Sequence, residues 1–153
     1  MNHAVLLGDS IFDNASYVPG KPPVIEQLRY KLGNACNATL LAIDGNLTSD
    51  VQYQTRNLPE DATYLIISVG GNDALQASSM LYDPADSVAE ALSMLTQARI
   101  GFQSIYKRMI GYVLKFKLPT AVCTIYDSIP DLEPIAVTAL SVFNDVIIRE
   151  AIS

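Results

Sequence analysis

Tyr64-Leu65-Ile66-Ile67-Ser68-Val69, followed directly by Gly70-Gly71-Asn72-Asp73, is the stretch that decides the fold of this chain. A short run of aliphatic and aromatic residues with no strict alternation is the pattern of a strand covered on both faces. Two glycines then break the run, and polar residues follow. The same grammar recurs along the chain. Ala4-Val5-Leu6-Leu7 ends in Gly8-Asp9-Ser10, and Thr39 to Ile43 ends in Asp44-Gly45-Asn46. Ala121-Val122-Cys123-Thr124-Ile125-Tyr126, bracketed by Pro119 and Pro130, runs into Asp127-Ser128.

Helical signals lie between these strands. Val24, Leu28 and Leu32 recur at helical spacing after a loop holding Pro19, Pro22 and Pro23, and Gly33 supplies the stop. Thr48 to Leu58 reads as a short helix capped by Thr48 or Ser49 and ended by Pro59. Asp83-Pro84 opens a long helical stretch to about Phe116, with Gly101 and Gly111 as places for a bend. Leu132 to Ile152 reads as a final amphipathic helix, with Pro134 suited to its first turn. Strands alternating with helices in this way predict a parallel sheet with helices on both faces. Ligands of such sheets bind beyond the carboxyl ends of the strands, so the four polar turns are expected to meet at one edge.

Composition supports a single domain over residues 1–153. Half of the residues are hydrophobic, 17% are charged and the mean hydropathy is +0.23, which excludes a disordered chain. The longest apolar stretch, Ile135 to Ile148, is interrupted by Asn144 and Asp145 and is too short to span a bilayer. Ten Lys and Arg against 16 Asp and Glu leave a net charge of −6, which argues against nucleic acid and membrane partners. Lys107, Arg108, Lys115 and Lys117 read as a solvated helix face. Cys36 and Cys123 have no metal-ligand spacing and read as reduced, mostly buried thiols. The opening Met1-Asn2-His3-Ala4 has no basic, apolar signal segment, so a cytoplasmic location is expected and the sequons at Asn14, Asn37 and Asn46 carry no meaning.

The polar turns carry the chemistry. Ser10, just past a strand, would have an exposed hydroxyl in a positive backbone field, which suits a nucleophile and equally a turn or cap. Gly45 offers an unobstructed backbone N–H and Asn72 a side-chain amide. With the N–H of Ser10, these are three donors able to converge where a carbonyl oxygen becomes an oxyanion. Gly70-Gly71 also fits a tight turn, Asp73 a helix cap and Asp9 a turn-former.

Gly8-Asp9-Ser10, then Gly45, then Gly70-Gly71-Asn72-Asp73, in this order and each at a strand end, resembles the SGNH (GDSL-like) hydrolases. The resemblance covers the chain from Ala4 to the last helix. It implies a serine esterase or lipase on a flavodoxin-like three-layer α/β/α sandwich, acting on a small-molecule ester without metal or organic cofactor. It assigns Ser10 as nucleophile and the Ser10 N–H, Gly45 N–H and Asn72 as the oxyanion hole.

The family's last motif, an Asp-x-x-His near the C-terminus, is not found in this sequence. Its single histidine, His3, begins the first strand, whereas Ser10 follows the end of it. Seven residues at about 3.3 Å each place the two roughly 20 Å apart, so His3 reads as an N-terminal surface residue and not the base. Asp127 is the remaining acid of interest and reads as pocket-lining or a cap; Tyr17 and Tyr126 are candidates for an acyl pocket. A fifth strand expected from the family is also missing, so the domain is expected to be C-terminally incomplete. An edge left open this way favours homodimerisation through that face.

Two further readings stand beside the esterase. A non-catalytic member of the same fold would bind an acylated ligand with the surviving oxyanion donors. A flavodoxin-like phosphate or flavin binder would use the first strand–helix turn, although that turn has no Ser/Thr-rich cradle and the chain has no tryptophan.

Overall fold

The structure is a computed structural model that describes residues 2–152. Four strands and five α-helices follow one another as β1 (Asn2–Gly8), α1 (Val24–Leu32), β2 (Cys36–Leu40), α2 (Val51–Gln54), β3 (Tyr64–Ser68), α3 (Gly71–Ala77), α4 (Val88–Val113), β4 (Thr120–Val122) and α5 (Pro134–Ala151). All strand pairs are parallel and the order across the sheet is β2-β1-β3-β4. The carboxyl ends of all four strands therefore lie at one edge, as the alternation predicts.

Side-chain alternation along β1 divides the core in two. Val5 and Leu7 join Leu65, Ile67 and Val69 beneath α2, α4 and α5, where Val51, Phe102, Tyr106, Phe143 and Val146 are buried. Leu6 faces the other way and packs with Phe12, Ala38 and Ile25 of α1. The result is a three-layer α/β/α sandwich. On the larger side, the Phe102 ring lies 5.5 Å from Tyr106 and 4.8 Å from Phe143, tying α4 to α5. No helix among the described residues is long and apolar enough to cross a membrane.

Several element limits differ from those read in the sequence. β2 lies three residues earlier than Thr39–Ile43. Leu41 and Ala42 both donate to the Leu6 carbonyl at 2.9 Å, a bulge that ends the regular ladder before the turn. β4 is short: its ladder with β3 pairs only Thr120–Val122 with Leu65–Ile67, and β3 itself ends at Ser68. Cys123 N–H still reaches the Ile67 carbonyl at 2.8 Å. Beyond it, the carboxamide of Asn144 in α5 takes over, accepting from Ile125 N–H at 2.7 Å and donating to its carbonyl at 3.0 Å.

The long helix begins at Val88 instead of Asp83-Pro84. Ser87 caps it by accepting from Glu90 N–H at 3.1 Å, while Glu90 reaches back to Asp86 N–H at 2.8 Å. It continues through Gly101 and Gly111 without interruption. Pro134 does occupy the first turn of α5. The cysteines are both unpaired and half-buried, less enclosed than expected.

His3 is a clear correction. It is not a surface residue: only 7% of it is exposed. Its Nδ1 lies 2.8 Å from Asp61 and its Nε2 2.8 Å from Thr39, while Thr63 Oγ1 accepts from its backbone N–H at 2.7 Å. β1 is a central strand paired on both sides, so even its first turn of chain is covered. The imidazole is a structural brace at the amino edge of the sheet, opposite Ser10.

Candidate active site

Gly8 ends β1 with φ at +130°, a conformation open to glycine. The next residue, Asp9, donates its N–H to the Ser68 carbonyl at 3.0 Å and so fixes the exit of β1 against β3. Phe12 and Asp13 N–H groups both return to the Asp9 carbonyl at 3.1 Å, closing one tight turn with half-buried Ser10 inside it. The Asp9 side chain is 3% exposed and accepts from Ile11 N–H at 3.1 Å. Asp9 is thus the turn-former that the sequence suggests.

Burial pushes the Asp9 carboxyl above the usual carboxylate range, and the negative charges of Asp73 and Asp44 add to this; the Ile11 N–H works against them. A raised folded-state value means that folding takes up a proton between the ordinary pKa and the raised one. The stability conferred is complete below the ordinary value and is lost as pH rises through the raised one. Asp9→Asn keeps the acceptor for Ile11 and removes the charge. It is expected to raise the melting temperature at pH 7. The gain should shrink as the parent is titrated toward pH 4. A variant melting at or below the parent at pH 7 would contradict this.

The turn after β3 sits beside that of β1. Gly70 has φ +118°, and a Cβ there would lie 3.1 Å from Phe102 and 3.3 Å from Ile125. Gly71 and Asn72 begin α3. Asn72 Nδ2 donates to the Asn46 carbonyl at 2.9 Å, which uses one of its two amide hydrogens. Asp73, read as a cap for its own helix, instead accepts from Thr48 N–H and Oγ1, each at 2.9 Å, and ties this turn to the segment after β2.

Gly45 occupies the turn closed by Asn46 N–H to the Ile43 carbonyl at 3.2 Å. Its φ of +80° fits the third residue of a type II turn, which calls for glycine. Gly45 is exposed and precedes Asn46, the residue that Asn72 holds.

Behind these turns lies a residue that the sequence reading missed. Gln54, 3% exposed, accepts from Gly8 N–H at 2.8 Å and donates to the Gly8 carbonyl at 2.7 Å and to Asn46 Oδ1 at 2.8 Å. Gly8, Gln54, Asn46 and Asn72 therefore form a chain of hydrogen bonds linking the three turns. A signal was present: Gln54 stands between Val51 and Leu58 at core-facing helical spacing, where a polar side chain needs a partner.

Ser10 and Asn72 both line a cavity of about 350 Å³ at the carboxyl edge of the sheet. Tyr126 lines it too; Tyr17 does not, and its hydroxyl donates to Asp44 at 3.0 Å instead. Asp127 is exposed, has the Ser128 hydroxyl 3.4 Å away and does not line the cavity. No histidine lines it either. Among the described residues no group of three or more His, Cys, Asp or Glu is placed to hold a metal ion.

Neither a family model nor a curated protein sequence matches the chain. Solved structures do. An extracellular lipase from Streptomyces rimosus matches with a TM-score of 0.66 at 18% identity, over 99% of this chain and 76% of that one. A lipolytic protein of the G-D-S-L family from Veillonella parvula matches with a TM-score of 0.67 at 16% identity, over 99% and 73%. An acetyl xylan esterase from Geobacillus stearothermophilus matches with a TM-score of 0.61 at 13% identity, over 98% and 72%. The chain has the SGNH-hydrolase fold.

Proposed function

We propose that this chain carries the nucleophile and oxyanion hole of a carboxylic ester hydrolase. The observation behind this reading is that Ser10 and Asn72 share one cavity at the sheet edge where the strand-end turns meet. In the proposed reaction, Ser10 Oγ attacks the ester carbonyl and passes its proton to a water molecule in the open site. The Ser10 N–H, the Gly45 N–H and the second Asn72 amide N–H hold the oxyanion of the tetrahedral intermediate. Collapse breaks the ester C–O bond, the departing alkoxide takes that proton back from the water, and acyl-Ser10 forms. Water then repeats the addition, releasing the carboxylic acid and restoring the serine hydroxyl.

The test is labelling by an alkyl p-nitrophenyl phosphonate, read by mass spectrometry. One covalent adduct on Ser10 is expected, with none in Ser10→Ala and a labelling rate about 100-fold lower in Asn72→Ala. An adduct elsewhere, or none at all, would sink the hydrolase reading.

A second reading is favoured by one observation: the sequence's single histidine braces the opposite edge of the sheet. On that reading the protein binds an acylated ligand without turnover. Thermal stabilisation by the ligand, lost in Asn72→Ala, together with an unlabelled Ser10 would select it.

A further inference from the structure

We propose that the cavity beside Ser10 is a binding site for an unbranched apolar acyl chain of about eight to twelve carbons, which makes fatty-acyl esters, and not acetylated sugars, the ligands. The inference rests on the ester-site reading for the position of the scissile carbonyl, but the cavity's own chemistry decides the class of ligand.

Volume comes first. About 350 Å³ is room for roughly a dozen groups the size of a water molecule, at about 30 Å³ each. An acetyl group would leave most of that space empty or wet. Small side chains make the room: Ala74 and Ala77 from α3, and Ala136 and Ala139 from α5, line the walls. Phe143 also lines the cavity and is itself buried in the core, so the space reaches apolar core side chains.

Polarity comes second. The cavity is lined by no charged side chain. Apart from the Tyr126 hydroxyl, its polar side chains are Ser10, Ser68, Asn72 and Ser78, and two of these are assigned to the ester group itself. A sugar placed here would surrender its bonds to water for walls of alanine, leucine and isoleucine, at a large cost in unpaired hydroxyls. An alkyl chain gives up nothing comparable.

The rim is the third observation. Ile11 is 46% exposed, Leu75 70%, Tyr126 55% and Ile129 51%, and all four line the same cavity. Single exposed apolar residues are ordinary, but a set of large ones around one apolar opening marks a place where apolar surface is to be covered. An acyl chain entering toward Phe143 would cover them.

The experiment has two arms on the whole chain. The first needs no catalysis: thermal stabilisation by 1-decanol is compared with that by ethanol and by a methyl acetyl-xyloside, in the parent and in Ser10→Ala. Decanol alone is expected to stabilise both proteins. Filling the cavity from either wall, with Ala139→Phe or with Ala77→Leu, is expected to abolish the effect, and two separate variants guard against one that fails to fold. The second arm measures phosphonylation of Ser10 by p-nitrophenyl alkylphosphonates with alkyl groups from ethyl to decyl. The rate is expected to rise about fourfold per added methylene until the cavity is full, and to lose that dependence in the filled variants.

Decanol that fails to stabilise, or that stabilises both folded filled variants as it does the parent, overturns the acyl-chain site. Labelling of Ser10 without chain-length dependence overturns it as well and leaves the hydrolase reading intact. Decanol binding with an unlabelled Ser10 does the reverse: the acyl site stands and the hydrolase reading falls.

Discussion

Gly8→Ala is expected to abolish the folded state. A Cβ at this position would lie 1.8 Å from the Ser68 carbonyl oxygen and 2.6 Å from its carbon, far inside any tolerable contact. The obstacle is backbone of the paired central strand, in register opposite Gly8, so no rotamer change relieves it. The same oxygen accepts the Asp9 N–H at 3.0 Å, and separating the strands would break that bond too. The φ of +130° adds strain for any residue with a side chain. Together these exceed about 5 kcal/mol, comparable to the whole stability of many domains. The expected result is a chain without a cooperative thermal transition. A soluble variant melting within about 5 °C of the parent would refute this account of the turn.

Gln54→Leu is expected to lower stability by about 3 kcal/mol. Leucine nearly preserves volume, so the change isolates the hydrogen bonds from the packing. It strands two groups at once, the Gly8 N–H and Asn46 Oδ1, while the Gly8 carbonyl keeps only the Ile43 N–H at 3.1 Å. Each buried polar group left without a partner costs about 1–3 kcal/mol, and the groups share one network, so the costs do not simply add. A fall in melting temperature of about 6–12 °C is expected in a domain of this size. Because Asn46 also holds Asn72, labelling of Ser10 should slow in the folded fraction. A melting temperature within about 2 °C of the parent would show that water replaces the amide, and the proposed link between the turns would fall with it.

The two side-chain amides that do most to shape the sheet edge were legible only in part. Asn144 appeared in the sequence as an interruption of an apolar run, and Gln54 as a polar residue on a helical stripe. Each signal says that a polar group lies near the core; neither names its partner. Those partners, Ile125 and Gly8, lie 19 and 46 positions away. His3 was misread for a related reason. Its place at the start of the chain suggested a surface, yet β1 is the strand that both neighbours flank.

What the sequence by itself determined is local. Apolar runs ended by glycine and polar residues specify strands and their turns, and apolar residues at helical spacing specify the helices between them, because both patterns are written within one or two turns of chain. Parallel pairing follows from that alternation, and it brings Ser10, Gly45 and Asn72 to one edge. The tertiary structure alone decided what closes around them. It set the carbonyl that makes Gly8 irreplaceable by alanine, the buried amide that links three turns, and the apolar space that α5 and α3 leave beside Ser10. Each of these depends on atoms brought together from distant parts of the chain, where the fit between surfaces governs and no local pattern of residues records it.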